Sequence, residues 1–132
     1  MKKLLLTSTA AALCAGTAMA GSHSEEIKIG VILGFTGPIE STVAHMGPAA
    51  ELAIQEVSDS GLLLGGAKVT AVTGDTTCID AAAATAATER LITSDGVKGI
   101  VGGDCSGVTG AMLQNVALPN GVVMISPSAT SP

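Results

Sequence analysis

The chain has 132 residues, of which 47% are hydrophobic, 13% charged and 1% aromatic, and its formal charge is −5. That length allows one domain or part of one, and the acidic balance provides no basic patch for nucleic acid or an anionic membrane. A single Phe with no Tyr or Trp removes the stacking platforms that bases and sugars use, while the Val, Ile and Leu content is too high for a disordered chain.

Lys2 and Lys3 precede an apolar run from Leu4 to Ala15, and Ala18-Met19-Ala20 gives the small–x–small pattern that a signal peptidase cuts after. The run is too short to span a bilayer. Residues 1–20 therefore read as a signal peptide cleaved after Ala20, and 21–26 as a flexible mature N-terminus of an exported protein. Cys14 lacks a lipobox, because Ala11 and Leu13 stand where Leu and a small residue are needed. Loss of Lys2 and Lys3 leaves the exported chain more acidic still.

From Ile27 onward, strands and helices alternate. Ile27 to Leu33 reads as a first strand, closed by a Gly/Pro loop over 34–38. Pro48 suits the first turn of a helix with Ala50, Ala53, Ile54 and Val57 on one face and Gly61 at its C′ position. Gly65-Gly66 opens a second strand over 67–73. Asp80 is placed to cap a second helix, in which Ala84, Ala87 and Leu91 share a face before Gly96. A third strand spans 97–101. Val108, Met112 and Val116 mark a third helix that stops before Pro119, and 121–125 is a fourth strand. The nearly continuous hydrophobicity predicts strands buried on both faces, as in parallel sheets. The alternation predicts an α/β fold, a doubly wound parallel sheet.

In such sheets ligands bind beyond the carboxyl ends of the strands, where the strand order reverses. The segments leaving those ends are Phe35-Thr36-Gly37-Pro38, Asp75-Thr76-Thr77-Cys78, Asp104-Cys105-Ser106-Gly107 and Ser126-Pro127-Ser128-Ala129-Thr130. All are small, hydroxyl-bearing or Gly-rich. Cys78 and Cys105 form an even pair bound for an oxidising compartment, which reads as a disulfide tying two of these loops, stabilising by roughly 3–4 kcal/mol. A metal site competes for the same cysteines, but His23 and His45 are the only histidines and neither has zinc-type spacing. Ser106, at the entrance to the third helix, is placed to favour an anion.

Plainer readings stand beside these. Ser106 reads as a helix cap and Ser126-Pro127 as a turn; Gly37-Pro38 reads as loop punctuation and Asp104 as a solvated carboxylate. Met112 reads as core, and His45 and Met46 as helix-entry residues near the rim. Enzyme readings lack their signatures: neither G-x-G-x-x-G nor a Walker loop occurs. Gly103-Asp104-Cys105-Ser106-Gly107 resembles a Gly-Asp-Ser-Gly motif only with Cys inserted, and no base is evident for a serine nucleophile.

A chain with Ile27-Lys28-Ile29-Gly30-Val31, Thr36-Gly37-Pro38, Cys78, Cys105-Ser106 and Ile125-Ser126-Pro127-Ser128-Ala129-Thr130 resembles the branched-chain amino-acid-binding proteins. These are the leucine/isoleucine/valine-type periplasmic receptors of ABC transporters. The resemblance runs through nearly all of 27–132. It implies the opening part of the first lobe of a type I periplasmic binding protein, incomplete at Pro132, with a second lobe beyond a hinge. It also implies that Ser106 holds a ligand carboxylate with its hydroxyl and backbone, and that Thr130 binds with its hydroxyl and amide. The Ser128 carbonyl would receive the ammonium, with Ala129 between these two contacts. Cys78 and Cys105 match the family's first-lobe disulfide, and an acidic partner for the ammonium is implied from the second lobe. Two departures bear on the solute: Met46 stands where the leucine-type receptors place an aromatic, and Asp104 replaces an uncharged residue.

The resulting expectation is a receptor, not an enzyme, without cofactor and monomeric at full length. It would deliver a branched-chain amino acid, or a related small carboxylate or amide, to a membrane ABC permease. A ligand-sensing module of the same fold and a secreted α/β enzyme are the alternatives.

Overall fold

Burial and pairing in a computed structural model show how these residues organise a parallel sheet; residues 26–131 are described. The signal peptide and cleavage site expected from sequence, and Pro132, lie outside the described residues. Strand β1 (Ile27–Leu33) is followed by a short helix α1 (Glu40–Val43) and a longer α2 (Met46–Ser60), then β2 (Val69–Asp75). Helix α3 (Ala81–Glu89) continues in a π-helical turn to Ser94 and leads to β3 (Gly99–Gly102). Helix α4 (Ser106–Met112), prolonged in π geometry to Ala117, leads to β4 (Val123–Ile125). The strands are all parallel, in the order β2-β1-β3-β4.

Alternation along β1 divides the core. Val31 and Leu33 face one side, where they join Val43, with Ala50 and Ile54 of α2 packed against them. Ile32 faces the other side and packs with Ala84, Leu91, Val97, Ile100, Val108 and Met112. Helices thus cover both faces of the sheet, the doubly wound arrangement. Local signals set the helix ends as the residues predict. The Asp80 carboxylate accepts the Ala82 and Ala83 amides at 2.9 and 3.0 Å, satisfying donors that the first turn leaves free. Gly61 closes α2 in the left-handed region at φ 63°.

Three strands begin two residues later than the apolar runs suggest. The Val97 amide donates to Leu91 O at 3.1 Å and the Val122 amide to Ala117 O at 2.9 Å, so these apolar residues close helices before the strands start. Ahead of β2, Leu63–Gly65 forms a 3₁₀ turn in which the Ala67 amide donates to Leu63 O. At its other end β2 runs past Thr73 because its ladder with β1 continues to Leu33↔Asp75.

Burial on both faces holds for the centre of the sheet and fails for β4. Val123 is 68% exposed and Ile125 67%, because the face that α2 covers over β1 has no covering element over β4 among the described residues. Helix α2 is also less buried than its apolar face predicts: Ala53 and Val57 are exposed and line an apolar groove of about 420 Å³ with Ile27, Ile29 and Val101. Among the described residues no helix is long and apolar enough to cross a membrane.

Candidate functional site

The chain passes from β1 outward to β2, then crosses back to β3, so the strand order reverses between β1 and β3. The loops leaving these two strands diverge to opposite faces and open a crevice at their carboxyl ends. Four strand exits meet at this rim, and side chains bind each to the next.

Asp75, at the end of β2, holds the β1 loop. Its carboxylate accepts the Thr36 hydroxyl and the Thr36 and Thr77 amides at 3.3 and 2.8 Å. Burial alone would raise the Asp75 pKa. The Thr36 hydroxyl, the Thr77 and Thr36 amides and the Phe35 amide outweigh it and hold the carboxyl below its ordinary 3.8. The two loops touch closely where Gly37 has φ +98°: a Cβ there would lie 2.6 Å from the Thr77 carbonyl oxygen. Only glycine combines that backbone with that approach.

A depressed folded-state pKa contributes stability at pH values above the unfolded value, and the contribution is lost as pH falls through the folded value. Thermal melts from about pH 6 to about pH 2 are therefore predicted to show a steeper acid-side loss for the native chain than for Asp75→Asn. Parallel curves would remove Asp75 from the acid response.

Cys78 and Cys105 are joined by a disulfide with Cα atoms 5.4 Å apart, linking the β2 and β3 exits as the sequence predicts. Beyond Cys105, Ser106 is not a helix cap. It is the first residue of α4, following Cys105 in the cap position. Its hydroxyl oxygen instead reaches across to the β4 exit, where it accepts the Thr130 amide at 3.1 Å and the Ser131 amide at 3.2 Å. Ser126 is more than a turn residue. Its hydroxyl donates to the Gly103 carbonyl and accepts the Ala129 amide at 2.8 Å and the Ser128 amide at 3.3 Å. The Ser128 hydroxyl donates to the Asp104 carbonyl at 2.8 Å. Ser106, Ser128, Ala129 and Thr130 are thereby assembled in one cluster.

Met46 is not in that cluster. It opens α2 and packs with the Val31, Leu33 and Val43 group on the opposite sheet face. His45 precedes it and is exposed. Asp104, read from sequence as solvated, is 6% exposed. Its carboxylate accepts the Gly34 amide at 2.7 Å, the Cys105 amide at 3.0 Å and the Thr76 hydroxyl at 3.3 Å. The signal for this burial is its setting: Gly102-Gly103 before it and a disulfide cysteine after it allow backbone to close around the side chain.

The rim is an open edge. A polar groove of about 550 Å³ lies elsewhere, between α2 and the β2 edge at Glu51, Gln55, Lys68 and Thr70. Among the described residues no group of three or more His, Cys, Asp or Glu is placed to hold a metal ion.

The family model described as periplasmic binding protein matches residues 26–132. The chain is 35% identical over 132 residues to Leu/Ile/Val-binding protein homolog 1 of Brucella abortus, covering all of this chain and 34% of that protein. It thus spans about a third of the length of the curated relatives it matches. Among solved structures it is similar to the branched-chain amino acid transporter substrate binding protein LivJ of Streptococcus pneumoniae, in complex with isoleucine. That match has 33% identity and a TM-score of 0.73, covering 81% of this chain and 30% of LivJ. A solute binding protein of a Rhodopseudomonas palustris ABC transporter, in complex with 4-hydroxybenzoate, matches at 26% identity and a TM-score of 0.64, covering 81% of this chain and 28% of that one.

Proposed function

The chain belongs to the periplasmic binding protein family, and from that premise we propose that residues 27–132 are part of the first lobe of an exported receptor. The receptor captures a small carboxylate-bearing solute for delivery to a membrane ABC permease, with a branched-chain amino acid as the solute. The observation that carries this reading is the seat of Ser106. A hydroxyl has one proton to donate and two lone pairs to accept with. Thr130 and Ser131 amides use the acceptor side, so the proton is left for an anionic oxygen at the rim. The Ser128 carbonyl and the Thr130 hydroxyl flank the same place as proposed contacts for the ammonium and carboxylate. Ala129 spaces them.

The open rim supplies half a cleft. A second lobe closing over it would exclude water and strengthen each hydrogen bond, and the closed, loaded form would be the one a permease selects. The relatives named above are binding proteins, which favours capture over catalysis. A second reading, an aromatic carboxylate as solute, is favoured by the 4-hydroxybenzoate-bound relative.

Titration calorimetry of the complete receptor against leucine, isoleucine, valine, benzoate and 4-hydroxybenzoate tests both. Saturable binding of a branched-chain amino acid is the predicted result. Binding of the benzoates alone would replace the solute class, and no binding to any of them would remove the reading. N-terminal sequencing of the same protein, purified from periplasm, is predicted to begin at Gly21.

A further inference from the structure

The geometry points to Asp104 as the positioning residue of the rim: its buried carboxylate fixes the β1, β2 and β3 exits relative to one another, its main-chain oxygen ties in the β4 exit, and through them it holds the Ser106–Thr130 seat. This rests on the receptor reading and adds to it a residue that makes no contact with the solute.

Asp104 lies just past β3, at the reversal of strand order. Its Oδ2 accepts the amide of Gly34 from the β1 exit at 2.7 Å. Its Oδ1 accepts the Thr76 hydroxyl from the β2 exit at 3.3 Å and the Cys105 amide from its own loop at 3.0 Å. Its main-chain oxygen accepts the Ser128 hydroxyl from the β4 exit at 2.8 Å. Thr76, itself fully buried, accepts the Cys78 amide at 3.2 Å. Both halves of the disulfide are therefore hydrogen-bonded to this network. Asp75, by comparison, joins only the β1 and β2 exits.

The arrangement is built for a carboxylate. Such a group accepts on both oxygens and donates on neither, and three donors, two backbone amides and one hydroxyl, converge on it. Among the described residues the ion pair present is Arg90–Asp95, so dipoles, not a cation, meet the Asp104 oxygens. The neighbouring backbone is shaped to it as well: a Cβ on Gly34 would sit 3.2 Å from Asp104 Oδ2 and 3.1 Å from Ile39. An apolar residue of similar size would leave the Gly34 and Cys105 amides and the Thr76 hydroxyl without an acceptor in a buried place. Asparagine keeps the volume but turns an NH₂ toward one set of donors.

The test uses the complete receptor with isoleucine as probe and benzoate as a second. Asp104→Asn is predicted to weaken affinity at least about tenfold and to speed hydrogen exchange at the Gly34 and Thr130 amides. Leu91→Ala, in the core away from the rim, lowers the melting temperature by cavity formation and is predicted to leave affinity unchanged where both variants are folded. Thr76→Val removes one donor to Asp104 and is predicted to weaken affinity about threefold. It also decides the matter should Asp104→Asn fail to fold. Native affinity in Asp104→Asn or in Thr76→Val would overturn the assignment, as would an equal loss in Leu91→Ala. If the native receptor binds neither probe, the receptor reading fails separately. Exchange then decides: faster exchange at Thr130 in Asp104→Asn supports the positioning role, and unchanged exchange overturns it.

Discussion

Ser106→Ala in the complete receptor is expected to weaken solute binding by about tenfold or more while leaving the fold intact. The hydroxyl has two tasks. In the rim its oxygen accepts the Thr130 and Ser131 amides, which are exposed and would turn to water at little cost on losing it. In the closed form its proton would meet a carboxylate in a dry cleft. A hydrogen bond to a charged group contributes roughly 1.5–3 kcal/mol, and its loss falls wholly on affinity if the solute is the only partner of that proton. Ser106→Thr keeps the hydroxyl and serves as the restoring variant. Titration calorimetry with isoleucine is the measurement. An unchanged dissociation constant for Ser106→Ala would discard Ser106 as a contact. Thr130→Ala should cost less, because the Thr130 amide keeps its bond to Ser106 and only the side-chain hydroxyl is removed.

What was legible in the sequence was what is local. Strand β1 coincides with its apolar run, Asp80 caps α3, Gly61 ends α2, and Val108, Met112 and Val116 are buried as their spacing requires. Each of these is set by contacts within a few residues or by one face of one helix. The misplaced strand starts have a local cause of a different kind: a valine satisfies a strand pattern and the end of a helix equally well, and at Val97 and Val122 the helix takes the amide. The rim was legible in outline, since loops at the carboxyl ends of parallel strands must converge. Its wiring was not. Asp104 meets Gly34 across 70 positions and Thr76 across 28, and Ser106 meets Thr130 across 24. A lone Asp or Ser beside glycines carries no mark of which distant amide it will meet, so each reads in its commoner local role. The exposure of Val123 and Ile125 has the same origin, because whether an apolar strand face is covered depends on elements far along the chain.

Removing the disulfide is expected to have the larger effect on stability and almost none on solute choice. In the chain-entropy view a cross-link between positions 27 apart stabilises by about 3–4 kcal/mol, acting on the unfolded chain. The folded rim retains another tie between the same loops, the bond from Thr76 to Asp104, and these two residues also hold the Cys78 and Cys105 amides within their own loops. Cys78→Ala with Cys105→Ala should therefore lower the melting temperature of the complete receptor by several degrees yet keep its ranking of solutes. Reduction of the native protein should give a shift of the same sign. Backbone strain separates itself from the cross-link in a second pair. Thr77 and Cys78 lie in the left-handed region at φ 55° and 69°, which costs a non-glycine residue of order 1 kcal/mol or more. Glycine at 78 escapes that cost but gives up entropy in the unfolded chain. Cys78→Gly with Cys105→Ala should accordingly be no less stable than the alanine pair. If it is clearly less stable, entropy in the unfolded chain outweighs strain at this turn. If neither pair moves the melting temperature and the native protein titrates with a thiol reagent, the two cysteines are not joined, and Asp104 with Thr76 holds the two loops alone.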